Sequence, residues 1–483
     1  MSEKIVKGFR DKYEDVADFT VKPAKGRDIQ MAFMQKISRT IQENNAWMNQ
    51  ILPIQESFDL IQRDMQVGGR AASFYFLDGM IKDDAMVKVM DTIFQVQEKE
   101  MPDEVTGFVQ KHIPYVEVDV IVDLEQAVKN VLSGVTVLFI DGYEAAIAID
   151  CRTYPARSVE EPEKDKSLRG SRDGFVETVV FDTAMIRRRI RDPQLVMEML
   201  EVGTSSRSDV VVAYMKNLVD QQLLAVVKKK IESVKTTNLC MTQQSLAEAL
   251  VGSRWYNPFP KFKLTERPDT TAACLMEGKI VILIDNSPAA MILPTSVLDM
   301  IEEANDYYFP AWTSLYLKFS RAVILFLTVF LTPVFLLLMK NPQWIPPAFA
   351  FIAVQDTVNI PLVYQLLILE LSIDGLRLAA MNTPSMLSTP LSIFAGLVLG
   401  EFSVNSGWFN SEVMLYMAFV AVANYTQPNF ELGYAVKFMR IMLLILTAVF
   451  NWIGFAAGCL IVLLLIAGNR TLDGRSYLKV TKN

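Results

Sequence analysis

Apolar residues along this chain follow different spacings in different stretches, and each spacing predicts a different element. Between residues 27 and 66 they recur at helical intervals, with Met31, Met34, Ile37, Ile41 and Met48 on one stripe. Three later stretches are short apolar runs that end or break at a turn: Ala72–Met80 (ASFYFLDGM), Val135–Ile149 (VTVLFIDGYEAAIAI) and Lys279–Leu293 (KIVILIDNSPAAMIL). In the second, Asp141-Gly142 sits between two apolar runs, the strongest short-range hairpin signal. The third turns at Asp285-Asn286. The first run is expected to close one α/β unit, the second to be its partner, and the third to form the sheet of another unit. Their similarity leaves internal duplication open. Asp182–Val234 reads as mostly helical, with apolar residues at helical spacing from Val210 to Val227.

Beyond residue 320 the pattern changes. Ala322–Met339 has no charge and is flanked by Arg321 and Lys340, which predicts a spanning helix mildly interrupted by Pro333. A second run starts at Trp344 and Pro346-Pro347 and continues toward Leu369, while Leu391–Leu399 and Val413–Asn424 are shorter. Ile441–Gly468 holds Asn451 and Gly454 in its middle and fits one long tilted helix or a re-entrant pair. The expected fold class is an α/β cytoplasmic N-terminal region of two small lobes, followed by an all-α polytopic membrane domain. The expected divisions are a lobe over 1–155, a second lobe over 156–318, a transmembrane domain of four to six helical segments over 319–468, and a cytoplasmic tail over 469–483.

Charge sharpens this division. The chain carries 47 Lys and Arg against 54 Asp and Glu, a net −7, so no global basic field argues for nucleic acid. From Ala322 to Gly468 the charged residues are only Lys340, Arg377, Lys437 and Arg440 with Asp356, Glu370, Asp374, Glu401, Glu412 and Glu431, a density that excludes a purely soluble enzyme. Met1–Val16 is charged throughout and lacks the apolar core of a signal peptide. The first apolar segment is therefore expected to be an uncleaved anchor with residues 1–320 in the cytoplasm. Arg470, Arg475, Lys479 and Lys482 place the tail there too, so the number of crossings is expected to be even, four or six. One histidine, His112, denies the chain a His-based triad or a multi-His metal site. Cys151, Cys240, Cys274 and Cys459 are scattered without a CxxC pair and read as reduced thiols. With no nucleophile–base set in view, no enzyme activity, metal or cofactor is expected.

The second apolar run carries the chemistry. At about 100° per residue, Asp356, Asn359, Val363, Leu366, Leu367, Glu370, Asp374 and Arg377 share one helical arc, with Gln365 opposite. An intramembrane carboxylate costs roughly 2.5–3.5 kcal/mol on insertion scales and should face protein or water. Copies gathered round an axis would place Val363, Leu366 and Leu367 as an apolar collar that closes by dewetting. Asp356, Asn359, Glu370 and Asp374 would form polar rings that favour cations. The competing reading is a local i, i+3 and i, i+4 network of Glu370, Asp374 and Arg377 at a cytosolic helix end, with Pro361 as a kink. Glu401 reads as an interface residue beside the polar loop Ser403–Gly407, and Lys437 and Arg440 as a cytoplasmic edge.

A second candidate lies upstream. Arg157 is followed by Arg169, Arg172, Arg187, Arg188, Arg189 and Arg191, while Gly170 and Gly174 allow tight turns. Guanidinium groups suit bidentate pairing with carboxylate or phosphate. Salt bridges to Glu160, Glu161, Asp173 and Glu177, contact with anionic headgroups, and a phosphate or nucleotide site are the three readings. The last lacks both GxxxxGK[ST] and a strand-borne GxGxxG.

The segments YPARSVEEP, LRGSRDGFVET and MIRRRIRDP, which contain Arg157, Arg169, Gly170, Ser171, Arg172, Gly174, Glu177, Arg187, Arg188 and Arg189, resemble the A-subunit family of spore germination receptors, most of all its stage V sporulation protein AF branch. The resemblance covers nearly the whole chain. In Gln365–Met381 (QLLILELSIDGLRLAAM), Glu370, Arg377 and Ala379 match the family's carboxylate-rich pattern. Gln365 and Leu378 stand in acidic positions and Asp374 replaces a glutamate. The resemblance implies a multi-pass protein of the endospore inner membrane that acts in germination. It further implies a homo-oligomer, with a pentamer suggested, that works beside other membrane subunits and releases ions from the spore core or amplifies their release. The alternatives are a nutrient-receptor A subunit, a non-conducting membrane scaffold or signalling subunit, and a secondary transporter, for which no inverted repeat is visible.

Overall fold

The computed structural model describes residues 35–153, 170–234, 242–251, 257–383 and 395–472, with Ile393, Gly474 and Tyr477. Met31, Met34, Arg157, Glu160, Glu161, Arg169, Cys240, Arg475, Lys479 and Lys482 lie outside the described residues, as does most of the stretch 391–394. The described chain forms two compact units. One holds the residues up to 251 and Leu264–Pro294, and the other holds 257–263 and everything from Thr295 on.

The first unit contains two five-stranded sheets. Strands β1 (Leu60–Val67) and β2 (Arg70–Leu77) form a hairpin through Gly68-Gly69, both at positive φ, where a side chain would be strained. Strand β3 (Val118–Ile121) lies at the far edge, and β4 (Thr136–Ile140) pairs with β5 (Ala146–Ile149) around the expected Asp141-Gly142 turn. All five residues of β4 are buried because both sheet faces are covered. Val137 and Phe139 point to one core with helices Ile41–Ile51 and Leu124–Leu132. Leu138 and Ile140 point to another with helices Asp83–Phe94 and Val105–His112. Period-two alternation thus feeds two cores from one strand.

The second sheet contains β6 (Leu195–Val202), β7 (Ser208–Met215), β8 (Lys263–Thr265), β9 (Ile280–Ile284) and β10 (Ala290–Leu293). Its spatial order, β6-β7-β9-β10-β8, repeats that of the first sheet, β1-β2-β4-β5-β3. The second and third turn-bearing runs of the sequence, β4–β5 and β9–β10, therefore occupy equivalent places in two copies of one topology, while the first run is β2, beside β4 in the first sheet.

Two expectations need correction. Among the described residues, the helical stripe over 27–66 covers a helix at Ile41–Ile51, while residues 60–67 are strand β1. Asp182–Val234 is not mostly helical either, since β6 and β7 form a hairpin inside it. Val210–Met215 is buried without a break and begins with three valines, whose stiff χ1 suits a covered strand. Such a run satisfies helical and strand periodicity alike.

The second unit is built from helices Ala311–Lys340, Leu362–Asn382, Ser411–Tyr425 and Phe430–Gly468. The first and last of these are long and apolar enough to cross a membrane. The last is broken at Asn451 (φ 52°, ψ −132°). A Cβ placed on Gly458 would come within 2.6 Å of Leu443 Cδ2, although fifteen helical residues would span about 22 Å. The chain therefore folds back at Asn451 into two antiparallel limbs, the pair rather than the single rod. Asn341, at the end of the first long helix, clamps this turn. Its Nδ2 donates to Asn451 Oδ1 at 2.7 Å, and Asn451 Nδ2 donates back at 3.1 Å. Lys340 Nζ donates to the carbonyls of Thr447 and Ala448, which the break leaves exposed.

Candidate functional site

The charges of the apolar region converge. Glu370, on Leu362–Asn382, and Arg440, on the first limb of the hairpin, are 3% and 2% exposed. Arg440 donates to both carboxylate oxygens, Nε to Oε1 at 2.5 Å and Nη2 to Oε2 at 2.9 Å, and its Nη1 donates to the Thr328 carbonyl at 3.0 Å. Lys437, one turn earlier and equally buried, pairs with Asp374 and lies 3.6 Å from Glu370 Oε2. Three helices are thus joined by a four-charge ladder. A lone ion in such a place would cost several kcal/mol, and the opposite charges offset that cost by pairing. Arg440 is eleven residues from the hairpin turn, or about 16 Å along the helix.

The predicted pore residues separate here. Asp356 and Asn359 are exposed and precede the helix, which starts at Leu362 with Pro361 as its N-cap. The shared arc through these two residues is therefore corrected. Proline lacks the N–H a helix interior needs and disfavours helical geometry just before it, so Pro361 begins the helix instead of kinking it. Asn359 donates to the Gly407 carbonyl at 3.1 Å. Leu366 and Glu370 are sealed inside their own chain's bundle, while Val363, Leu367 and Asp374 are half-buried at its margin. Gln365, placed opposite by the wheel, is also buried and exchanges hydrogen bonds with Asn410 at 2.8 and 2.9 Å. The local network of Glu370, Asp374 and Arg377 is not formed. The two carboxylates reach across to Lys437 and Arg440, and Arg377 lies against the rings of Tyr425, Phe430 and Tyr434. Lys437 and Arg440 consequently mark the interior and not an edge. Their signal was two cations one turn apart in a long apolar stretch. Glu401 is exposed within the π-helical turn Leu397–Phe402.

The arginine stretch is used internally. Arg187, fully buried on helix Val179–Arg189, donates to Asp59 through Nε at 2.8 Å and Nη2 at 3.1 Å. It also donates to Ser57 Oγ at 3.3 Å and to the Leu195 carbonyl at 3.0 Å, joining the start of β1 to the start of β6. Arg189 donates to Asp173 at 2.6 Å and to Ser171 Oγ at 3.0 Å. Burial pushes the Asp173 carboxyl up, but the hydrogen bonds from Arg189 and Ser171 outweigh it and hold the group below its usual range. Of the expected acceptors, Asp173 therefore serves, and Glu177 contributes its carbonyl to Asn286 N–H at 2.7 Å. Arg172 and Arg188 are exposed. Gly170 sits at φ 104°, and Gly174 does not adopt positive φ. The sequence reading missed Asp59 and Arg267. The latter is fully buried and donates to the Ser171 carbonyl at 2.6 Å and to Asp269 at 2.7 Å.

Cys151 and Cys274 are buried thiols. Burial raises the Cys151 pKa, which makes it a poor nucleophile. Among the described residues no group of three or more His, Cys, Asp and Glu side chains could hold a metal ion.

A family model described as Bacillus/Clostridium GerA spore germination protein matches residues 48–483. The chain is 31% identical to Stage V sporulation protein AF of Bacillus subtilis over 439 residues, covering 91% of this chain and 89% of that protein. It is 27% identical to Spore germination protein GerLA of Bacillus cereus, covering 87% and 86%. Among solved structures, the N-terminal domain of the A subunit of the Bacillus megaterium spore germinant receptor GerK3 aligns with 54% of this chain and 97% of its own, at 20% identity and a TM-score of 0.42.

Proposed function

The chain belongs to the GerA spore germination protein family, and from that premise we propose that it is a subunit of a homo-oligomeric cation conduit in the spore membrane, working beside other membrane subunits to release ions or amplify their release. The observation that carries this reading is the two-sidedness of Leu362–Asn382. Leu366, Leu369 and Glu370 lock one side to the chain's own bundle. The opposite side leaves Tyr364, Ile368, Leu371 and Leu378 uncovered, with Leu371 74% exposed. Val363, Leu367 and Asp374 stand at the margin between them. Copies turned so that this margin meets a common axis would form an apolar collar from Val363 and Leu367 and an acidic ring from Asp374. Asp356 and Asn359 would lie at the mouth. An apolar constriction gates by dewetting, and carboxylate rings favour cations.

The buried ladder then has a mechanical part. It fixes the rotation of Leu362–Asn382 about its own axis and so decides which residues reach the margin. The same family supports two other readings, a nutrient-receptor A subunit and a membrane scaffold that passes no ions. Cation flux from liposomes containing the purified chain separates conduction from both. Leu367→Ala should raise leak, whereas Leu366→Ala, sealed in the bundle, should lower stability without raising it. Equal leak from both variants and from the unchanged chain, all inserted and folded, would leave the scaffold as the better account.

A further inference from the structure

We propose that Arg377 and its aromatic cage form a seat for the phosphate of an anionic phospholipid headgroup. The guanidinium carbon lies 3.9 Å from the ring centre of Phe430, 5.0 Å from that of Tyr434 and 5.3 Å from that of Tyr425. Three ring faces from two other helical segments therefore orient one flat cation. Rings satisfy its charge but not its directional N–H groups, and among the described residues it meets no carboxylate or carbonyl acceptor. Arginine presents five such donors in a fixed fork.

Charge counting gives the same answer. Glu370 and Asp374 are matched by Arg440 and Lys437, so Arg377 is the surplus cation of a group that lines one crevice. Depth gives the third reason. Phe430 begins the limb that turns at Asn451, twenty-one residues later, a rise of about 32 Å. That is one hydrocarbon thickness. With the Lys340–Asn341–Asn451 clamp at one surface of the layer, the cage lies at the other, where tyrosines gather and phosphates reside. A half-buried, oriented guanidinium at that level recognises a phosphodiester through paired N–H donors. The inference rests on reading these helices as membrane-spanning, but not on conduction, and its test involves no ion flux.

The test titrates the purified full-length chain, in non-ionic detergent, with phosphatidylglycerol, diacylglycerol and inorganic phosphate in separate arms, and counts adducts by native mass spectrometry. Phosphatidylglycerol should bind, and diacylglycerol, which lacks the phosphate, should not. Arg377→Gln should weaken phosphatidylglycerol by about tenfold, the worth of one charge-assisted contact. Asp374→Asn, which removes a nearby negative charge and keeps Arg377, should tighten it. This variant decides the matter if Arg377→Gln does not fold. Unchanged affinity in these variants, or equal retention of diacylglycerol, overturns the seat. Inorganic phosphate binding as well as the lipid overturns the lipid assignment in favour of a free anion.

Discussion

The α/β unit and the helical unit each bury a bidentate arginine–carboxylate pair, and they support it differently. Arg187 and Asp59 sit among backbone groups. Besides the carboxylate, the guanidinium reaches Ser57 and the carbonyls of Asp192 and Leu195, and Ser57 Oγ itself donates to Asp59. Arg440 and Glu370 sit among apolar helices whose backbone groups already pair internally. Among the described residues, their further partners are the Thr328 carbonyl and the neighbouring Lys437. The first pair stitches loops and strand ends together and supplies the Leu195 carbonyl with its donor. The second holds helices that need no further hydrogen bonds and sets only their mutual rotation. Buried ion pairs of equal geometry therefore differ in what replaces them.

The largest effect should come from Arg440→Leu, which leaves Glu370 buried and uncompensated at about 3–5 kcal/mol. Loss of folded, detergent-extractable protein on heating would measure it. Adding Glu370→Leu should recover most of that loss, because two apolar side chains fit an apolar bundle. Arg187→Leu should cost about 3 kcal/mol, but adding Asp59→Leu should not recover it, since the Leu195 carbonyl and the Ser57 hydroxyl still lose the donor that Arg187 gives them. Equal recovery in both units would erase the contrast. Leu366→Ala should cost about 2–3 kcal/mol through the cavity it leaves in the helical core, without altering ion passage.

The smallest effect is one of pH. Asp173 is held below its unfolded value, so its stabilising contribution is complete above about pH 4. It is lost as pH falls through the lower folded value. Arg189→Gln should flatten this acid-side loss in urea midpoints measured from neutral to acid pH, and an unchanged slope would deny the pair any role.

Much of this arrangement was legible in the sequence. The Asp141-Gly142 hairpin, the long apolar helix over Ala322–Met339 and an α/β region ahead of a helical one all show as local pattern. The β6–β7 hairpin did not, because a continuous run such as VVVAYM has no period to read. The beginning of the Leu362–Asn382 helix was hidden by treating Pro361 as an interruption when it is a start. The partners of Glu370 were hidden for a different reason. Arg440 lies seventy residues away on another helix, and no spacing rule links them. Local periodicity reports which face is apolar, and only packing decides which charge meets which.

The central claim is that water reaches the margin of Leu362–Asn382 in an assembly of copies. Single cysteines at Leu367 and Asp374, in a chain freed of its four native cysteines, can be exposed to a water-soluble thiol reagent in ion-loaded liposomes. The account predicts that both positions react and that their modification changes cation flux, while a cysteine at Leu369, on the sealed side, stays inert. Protection of Leu367 and Asp374, or their reaction without any change in flux, would contradict it.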